Sequence, residues 1–305
     1  MDSIVLHNMF NDTLERAILE TLAYSDIFEY PLRSDELHRY LPLRTEVECL
    51  PQTIELMRDQ VGKKDDYYFL AGREIIVETR KHREVHSQKL FQLALKYGRI
   101  IGTLPFIRMV ALTGSLAVMN NSNDADFDFM LVTASGRVWI ARAFALLFNR
   151  VTRLFGYTLC PNLIISENAL IWSRHDLYSA RELCQMILVS GMDVYHKLMR
   201  ANEWVKDFLP NATVQASKTS KDAKVLRQKF LEYPLRGKLG DQIETWEMKR
   251  KIARFMQQDG LSDETVFNAD MCQGNFDHHR DSTQRMLEER LIALRADDKV
   301  EMEAA

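Results

Sequence analysis

Val110-Ala111-Leu112-Thr113-Gly114-Ser115-Leu116-Ala117-Val118 is followed by Asp124-Ala125-Asp126-Phe127-Asp128-Phe129-Met130-Leu131-Val132, and the reading of this stretch decides the rest of the chain. Ile107 to Thr113 is an apolar run of strand length that stops at a Gly-Ser turn. From Asp126 to Thr133 carboxylates and aromatics alternate. A period of two puts Asp126 and Asp128 on one face of a strand and Phe127 and Phe129 on the other. Two carboxylates side by side on a rigid strand repel, and a hard divalent cation such as Mg²⁺ or Mn²⁺ relieves the repulsion through oxygen ligands. Backbone N–H groups and a hydroxyl in the Gly-Ser turn suit a phosphate. Metal ligands beside a phosphate cradle are the equipment of phosphoryl or nucleotidyl transfer.

A Gly-Ser turn ten residues before an Asp-x-Asp strand resembles the active-site signature of the DNA polymerase β-like nucleotidyltransferase superfamily, over roughly residues 100 to 170. The resemblance implies a mixed-sheet core in which Asp126 and Asp128 act as catalytic metal ligands. It implies that Gly114 and Ser115 hold the β- and γ-phosphates of an NTP such as ATP. An acceptor hydroxyl would then attack the α-phosphorus and release pyrophosphate. Members of the superfamily usually carry a third carboxylate on the next strand, where this chain aligns Asn162, a nucleotide contact without charge. They also carry an arginine and a glycine soon after Gly-Ser, where this chain has Leu116-Ala117-Val118-Met119-Asn120. These departures keep a second reading alongside the transferase, a nucleotide-binding regulator with little or no turnover that acts through protein contacts. Asp124 reads as a turn residue of the Asn120–Asp124 run.

The expected fold class is α+β or α/β, with three units: a winged-helix-like domain at 1–80, the transferase-like core at 81–172 and a helical region at 173–305. In the first unit, helices are expected at 14–24, 35–40 and 45–60, the last opened by a capping box at Thr45–Glu48. A strand is expected at 67–70. The third regulator reading, DNA binding through helix 45–60, is opposed by charge, because residues 1–60 hold twelve acidic and five basic side chains. DNA affinity rests on neutralising phosphates, so this unit is expected to pack, as a homodimer contact for example. The basic residues of a long helix at 73–101 read as a solvated face. Core helix 137–155 and strand 159–166 follow, and beyond Asp176, a helix cap, the chain reads as helices with a frayed acidic end at 297–305.

At 305 residues and a formal charge of −3, the chain has neither a basic excess for nucleic acid nor an apolar run of membrane length. Met1-Asp2-Ser3-Ile4 does not open like a signal peptide. Cys49, Cys160, Cys184 and Cys272 lack metal or disulfide spacing and read as buried free thiols of a cytoplasmic protein. Arg137, Arg142 and Arg150 are expected to face solvent in preference to a nucleotide. His175 is expected to sit at a helix start, and His278-His279-Arg280-Asp281 is a polar cluster that could line a cleft.

Overall fold

The computed structural model describes residues 14–122, 126–213, 225–274 and 278–304; Asp124 lies outside them. The chain is a mixed α and β protein built on one six-stranded mixed sheet and a separate hairpin. The N-terminal part contains α1 (Leu14–Asp26), α2 (Ser34–Tyr40), a single 3-10 turn (Val47–Cys49) running into α3 (Leu50–Leu56), and the hairpin β1 (Val61–Lys64) and β2 (Tyr67–Leu70). Ile18, Leu22, Leu37 and Leu50 are buried between these elements. The helix expected over 45–60 is shorter and starts later. Pro51 occupies its first turn, where a fixed φ and a missing N–H are harmless, and no side chain caps the turn before it.

A long helix, α4 (Ile75–Ile101), links this part to the sheet. Its basic residues are not all solvated, as the sequence had suggested. Arg80 is 1% exposed, donates to both oxygens of Glu36 at 2.7 Å and to Glu84 at 3.0 Å, and also reaches the carbonyl of Pro31.

The sheet runs in the order β6 (Ile187–Ser190), β3 (Ile107–Leu112), β4 (Asp126–Thr133), β5 (Thr158–Ser166), β8 (Met271–Gly274), β7 (Thr265–Phe267). Its centre is β3, β4 and β5. β3 pairs antiparallel with β4, and β4 pairs parallel with β5 through the crossover helix α6 (Val138–Arg153). Between β3 and β4, the Gly-Ser segment forms one helical turn, α5 (Gly114–Ala117).

Beyond Asp176 the chain supplies α7 (Leu177–Gln185), β6 (Ile187–Ser190), α8 (Met192–Ala201), α9 (Val205–Phe208), α10 (Val225–Glu232) and α11 (Lys238–Phe255). β7 (Thr265–Phe267), β8 (Met271–Gly274) and α12 (His279–Ala304) complete it. Three strands of the region expected to be helical therefore extend the core sheet. They are three or four residues long, too short for a period of two to stand out from helix. The acidic end continues as helix to Ala304.

Alternation along β4 sorts the core into two faces. Phe127, Phe129 and Leu131 pack with Val110, Leu112 and Trp139 on the side of α4 and α6. Met130 and Val132 pack with Ala111, Leu183 and Leu188 on the side of α7 and the N-terminal helices. Asp126 and Asp128 share the second face, so the carboxylates look toward α7. Arg137 is buried and donates to Asp241 at 2.7 Å, and Arg142 lies 5.0 Å from the ring of Phe255. Neither faces solvent as expected, because α11 covers this side of α6; Arg150 is exposed.

Candidate functional site

The end of β3 meets the start of β4 at the site. The backbone N–H of Thr113 donates to the carbonyl of Asp128 at 2.9 Å, which seats Gly114 beneath the aspartate side chain. Gly114 has φ +66, a region that disfavours side chains, and a Cβ there would lie 2.5 Å from Asp128 Oδ2. The Gly-Ser signal is thus a steric requirement of the neighbouring carboxylate as well as of the turn.

A cleft of about 540 Å³ opens over this junction. Gly114, Ser115, Asp128 and Asn162 all line it. Asp126 is exposed at the first position of β4, outside the cleft lining but close enough for its charge to act on Asp128. Burial first, then that charge, pushes the Asp128 carboxyl up to about 6, against the Cys160 thiol and His279.

Parallel register explains the departure on the third strand. Cys160, not Asn162, stands opposite Asp128. A bulge after Phe129 moves the pairing from Pro161 to Leu163, which leaves Asn162 without a partner position. Asn162 still lines the same cleft, displaced along the strand. The Cys160 thiol donates to Asp128, and the cleft walls together with the two aspartates push its pKa up to about 12. Cys160 and Cys49 are solvent-accessible, unlike the buried thiols the sequence suggested, while Cys184 and Cys272 are buried; all four are free.

A carboxylate missed in the sequence comes from a different element. Glu182 lines the cleft from α7, and burial followed by the charge of Asp128 pushes it up to about 7. Burial, with the charge of Asp128 added to it, therefore favours the protonated form of Glu182. No local pattern marks Glu182, because Leu177–Gln185 carries nothing that tells which of its faces meets a cleft.

Arg174, His279 and Arg280 also line the cleft, so the C-terminal polar cluster does reach it. Arg174 pairs with Asp263 at 2.8 Å, and Arg280 lies 3.6 Å from the same carboxylate and 3.5 Å from Asp176. Asp176 caps α7 as expected, accepting from the N–H of Ser179 at 2.7 Å, and His175 stacks on Trp204 with ring centroids 4.4 Å apart. Ligand atoms of Glu264, His278 and Asp281 lie within 4.8 Å of one another. Glu264 accepts from the N–H groups of Arg280 and Asp281 at 3.3 and 3.2 Å, so this cluster is the cap of α12.

The loop after Gly-Ser is held by the N-terminal part. Tyr30 donates to the carbonyl of Val118 at 2.8 Å, Asn120 donates to Phe28 O at 3.0 Å, and the N–H of Asn121 donates to Ser87 at 3.1 Å.

Asp128 with Asp126 beside it, and Thr113 Oγ1, buried at the junction with no hydrogen-bond partner, are oxygen donors of the kind a hard divalent cation takes. No helix among the described residues is long and apolar enough to cross a membrane. No protein-family model matches this chain, and no curated protein and no solved structure matches it, so its function is read from the chemistry of this cleft.

Proposed function

We propose that the protein is a metal-dependent nucleotidyltransferase that moves an NMP from an NTP to an acceptor hydroxyl. The observation that carries this reading is the fit of Gly114 under Asp128, with Asp126 on the same strand face and an open cleft above. Asp126 and Asp128 would hold Mg²⁺ or Mn²⁺. A bound divalent ion supplies charge neutralisation for a triphosphate and its pyrophosphate leaving group. Ser115 and Asn162 offer a hydroxyl and an amide to the phosphates, and Arg174 and Arg280 line the same cleft with cationic charge. Glu182, its carboxyl pushed up to about 7, would in its ionised form take the proton of the acceptor hydroxyl. The N-terminal helices and hairpin form a winged-helix-like module that steadies the Gly-Ser loop, and its acidic balance disfavours DNA as the partner.

The test is thermal stability with each NTP, with and without Mg²⁺, for the wild type and for Asp126→Asn/Asp128→Asn. Ligand binding to the folded state raises stability by mass action. A Mg²⁺-dependent rise that the double variant loses is expected; no rise with any NTP would sink the reading. One observation favours a second reading, a nucleotide-binding regulator without turnover, because Cys160 stands where a strand carboxylate would face Asp128. Glu182→Gln separates the two. The transferase keeps its NTP response and loses transfer in that variant, whereas a regulator shows no transfer in either form.

A further inference from the structure

Beside the cleft lies a second, partly open cavity of about 120 Å³, lined by α1, α2, α7, α9 and α12. Both share Tyr24, Tyr178 and Arg181 as lining, so the cavity abuts the site. Arg181 is 2% exposed, and among the described residues it makes no hydrogen bond and no ion pair; its Nε is buried without an acceptor. Its guanidinium carbon lies 4.0 Å from the Tyr40 ring centroid and 4.6 Å from that of Tyr24. Those rings offer π-electron density but no acceptor for its N–H groups. Burial lowers the Arg181 pKa, the expected response of a cation without a counter-ion.

The carboxylates on the cavity wall are engaged elsewhere. Glu20 lies 3.6 Å from Arg16, Asp176 caps α7, and Glu288 accepts from Gln284 at 3.3 Å. The hydroxyls of Tyr24, Tyr40 and Tyr178 also make no hydrogen bond among the described residues, while Leu177, Phe208 and Leu287 give the cavity an apolar remainder. A buried, hydrogen-bonding cation with no partner is costly to a fold, and retaining one points to a ligand that completes it.

We propose that this cavity recognises the carboxylate of a small ligand with a ring-sized apolar body, its oxygens held by Arg181 and the tyrosine hydroxyls. A single cation balances a monoanion, whereas a phosphate dianion would leave excess negative charge beside Asp128. A cavity of about 150 Å³ lined by apolar side chains accommodates benzene; this one holds about 120 Å³ and, being partly open beside the cleft, leaves room for the rest of the ligand outside that volume. That this ligand is the acceptor rests on the nucleotidyltransferase reading; that it binds does not.

Calorimetric titration of nucleotide-free protein without divalent metal tests the site, with benzoate as the probe and benzamide, inorganic phosphate and tripolyphosphate beside it. Benzoate is expected to bind, benzamide and both phosphates to bind at least about tenfold more weakly, and Arg181→Met to weaken benzoate by about tenfold or more, the scale of a charge-assisted hydrogen bond. Arg181→Met is also expected to melt no lower than the wild type, because it removes an unpaired buried charge. Tyr178→Phe weakens benzoate a few-fold with the fold intact. Failure of benzoate to bind overturns the proposal, as does equal binding by Arg181→Met, or tripolyphosphate binding that depends on Arg181. If Arg181→Met does not fold, unchanged benzoate affinity in Tyr178→Phe and Tyr24→Phe overturns it. Asp128→Asn is expected to keep benzoate binding while losing the Mg²⁺-NTP response, so loss of either response alone identifies which of the two readings has failed.

Discussion

At the scale of single residues, the site depends on one position where no side chain fits. Gly114→Ala would put a methyl group 2.5 Å from Asp128 Oδ2 at a φ of +66. It is expected to cost about 1–3 kcal/mol of stability and to abolish any Mg²⁺-NTP response. Melting curves with and without ligand check both effects. Asp128 behaves in the opposite sense. Its charge is held near that of Asp126 in a partly buried setting, so Asp128→Asn is expected to melt at or above the wild-type temperature while losing the nucleotide response. A variant that lost stability and kept the response would contradict the assignment. The Gly-Ser and Asp-x-Asp residues could be recognised in the sequence because steric and charge constraints restrict what those positions tolerate. Glu182 and Arg181 could not, since nothing in the pattern Leu177–Gln185 tells which face of that helix meets a cleft and which meets two tyrosines.

Among the elements, two carboxylates, Glu244 buried and Glu36 half-buried, fix how helices join one another. Glu244 of α11 accepts the N–H groups of Trp139 and Ile140 at 2.8 Å, capping the first turn of α6 from another helix. Glu244→Ala leaves those donors buried and is expected to cost about 1–2 kcal/mol, measured by chemical denaturation. Glu36 of α2 meets Arg80 of α4. Burial would raise its carboxyl, but the Arg80 hydrogen bonds and charge, with the N–H of Arg33 and the hydroxyl of Tyr30, hold it below the usual carboxylate range. A depressed folded-state pKa means the stabilisation is fully present above the unfolded value and is lost as pH falls through the folded one. Glu36→Gln is therefore expected to flatten the acid limb of a stability–pH curve below about pH 4.5 and to lower stability at neutral pH. An unaltered acid limb would refute the coupling.

For the whole molecule, the two ends of the described chain meet. Arg290 of α12 donates to Asp26 of α1 at 2.8 Å, and Arg73 holds the other oxygen of the same carboxylate at 2.6 Å. Leu287, Leu291 and Leu294 pack against the core that contains Ile18 and Leu22. Removing residues 278–305 would take away these contacts together with His279 and Arg280 of the cleft wall. Three half-buried leucines stabilise by roughly 3–5 kcal/mol at the scale of apolar burial, so a strongly lowered melting temperature is expected of the truncated chain. Late strands finish the sheet and a late helix covers early ones.

The sequence by itself determined β3, the turn, β4, α6 and β5, because alternation and long apolar runs are local signals that burial on two faces enforces. It also determined the pairing of Asp126 with Asp128 on one face, a consequence of the strand period alone. Only the tertiary structure decided that β6, β7 and β8 join the same sheet, since strands this short acquire their hydrogen-bond partners from neighbours distant in sequence. It alone decided that Cys160 faces Asp128 and that a one-residue bulge after Phe129 leaves Asn162 without a partner position, neither of which periodicity foretells. It likewise decided which of the chain's charged side chains are withdrawn from water: Arg80 with its carboxylates, Glu182 beside Asp128, and Arg181 without a partner. A charged residue carries the same letter on a solvated face and in a cavity, and what differs is the set of elements the fold brings around it.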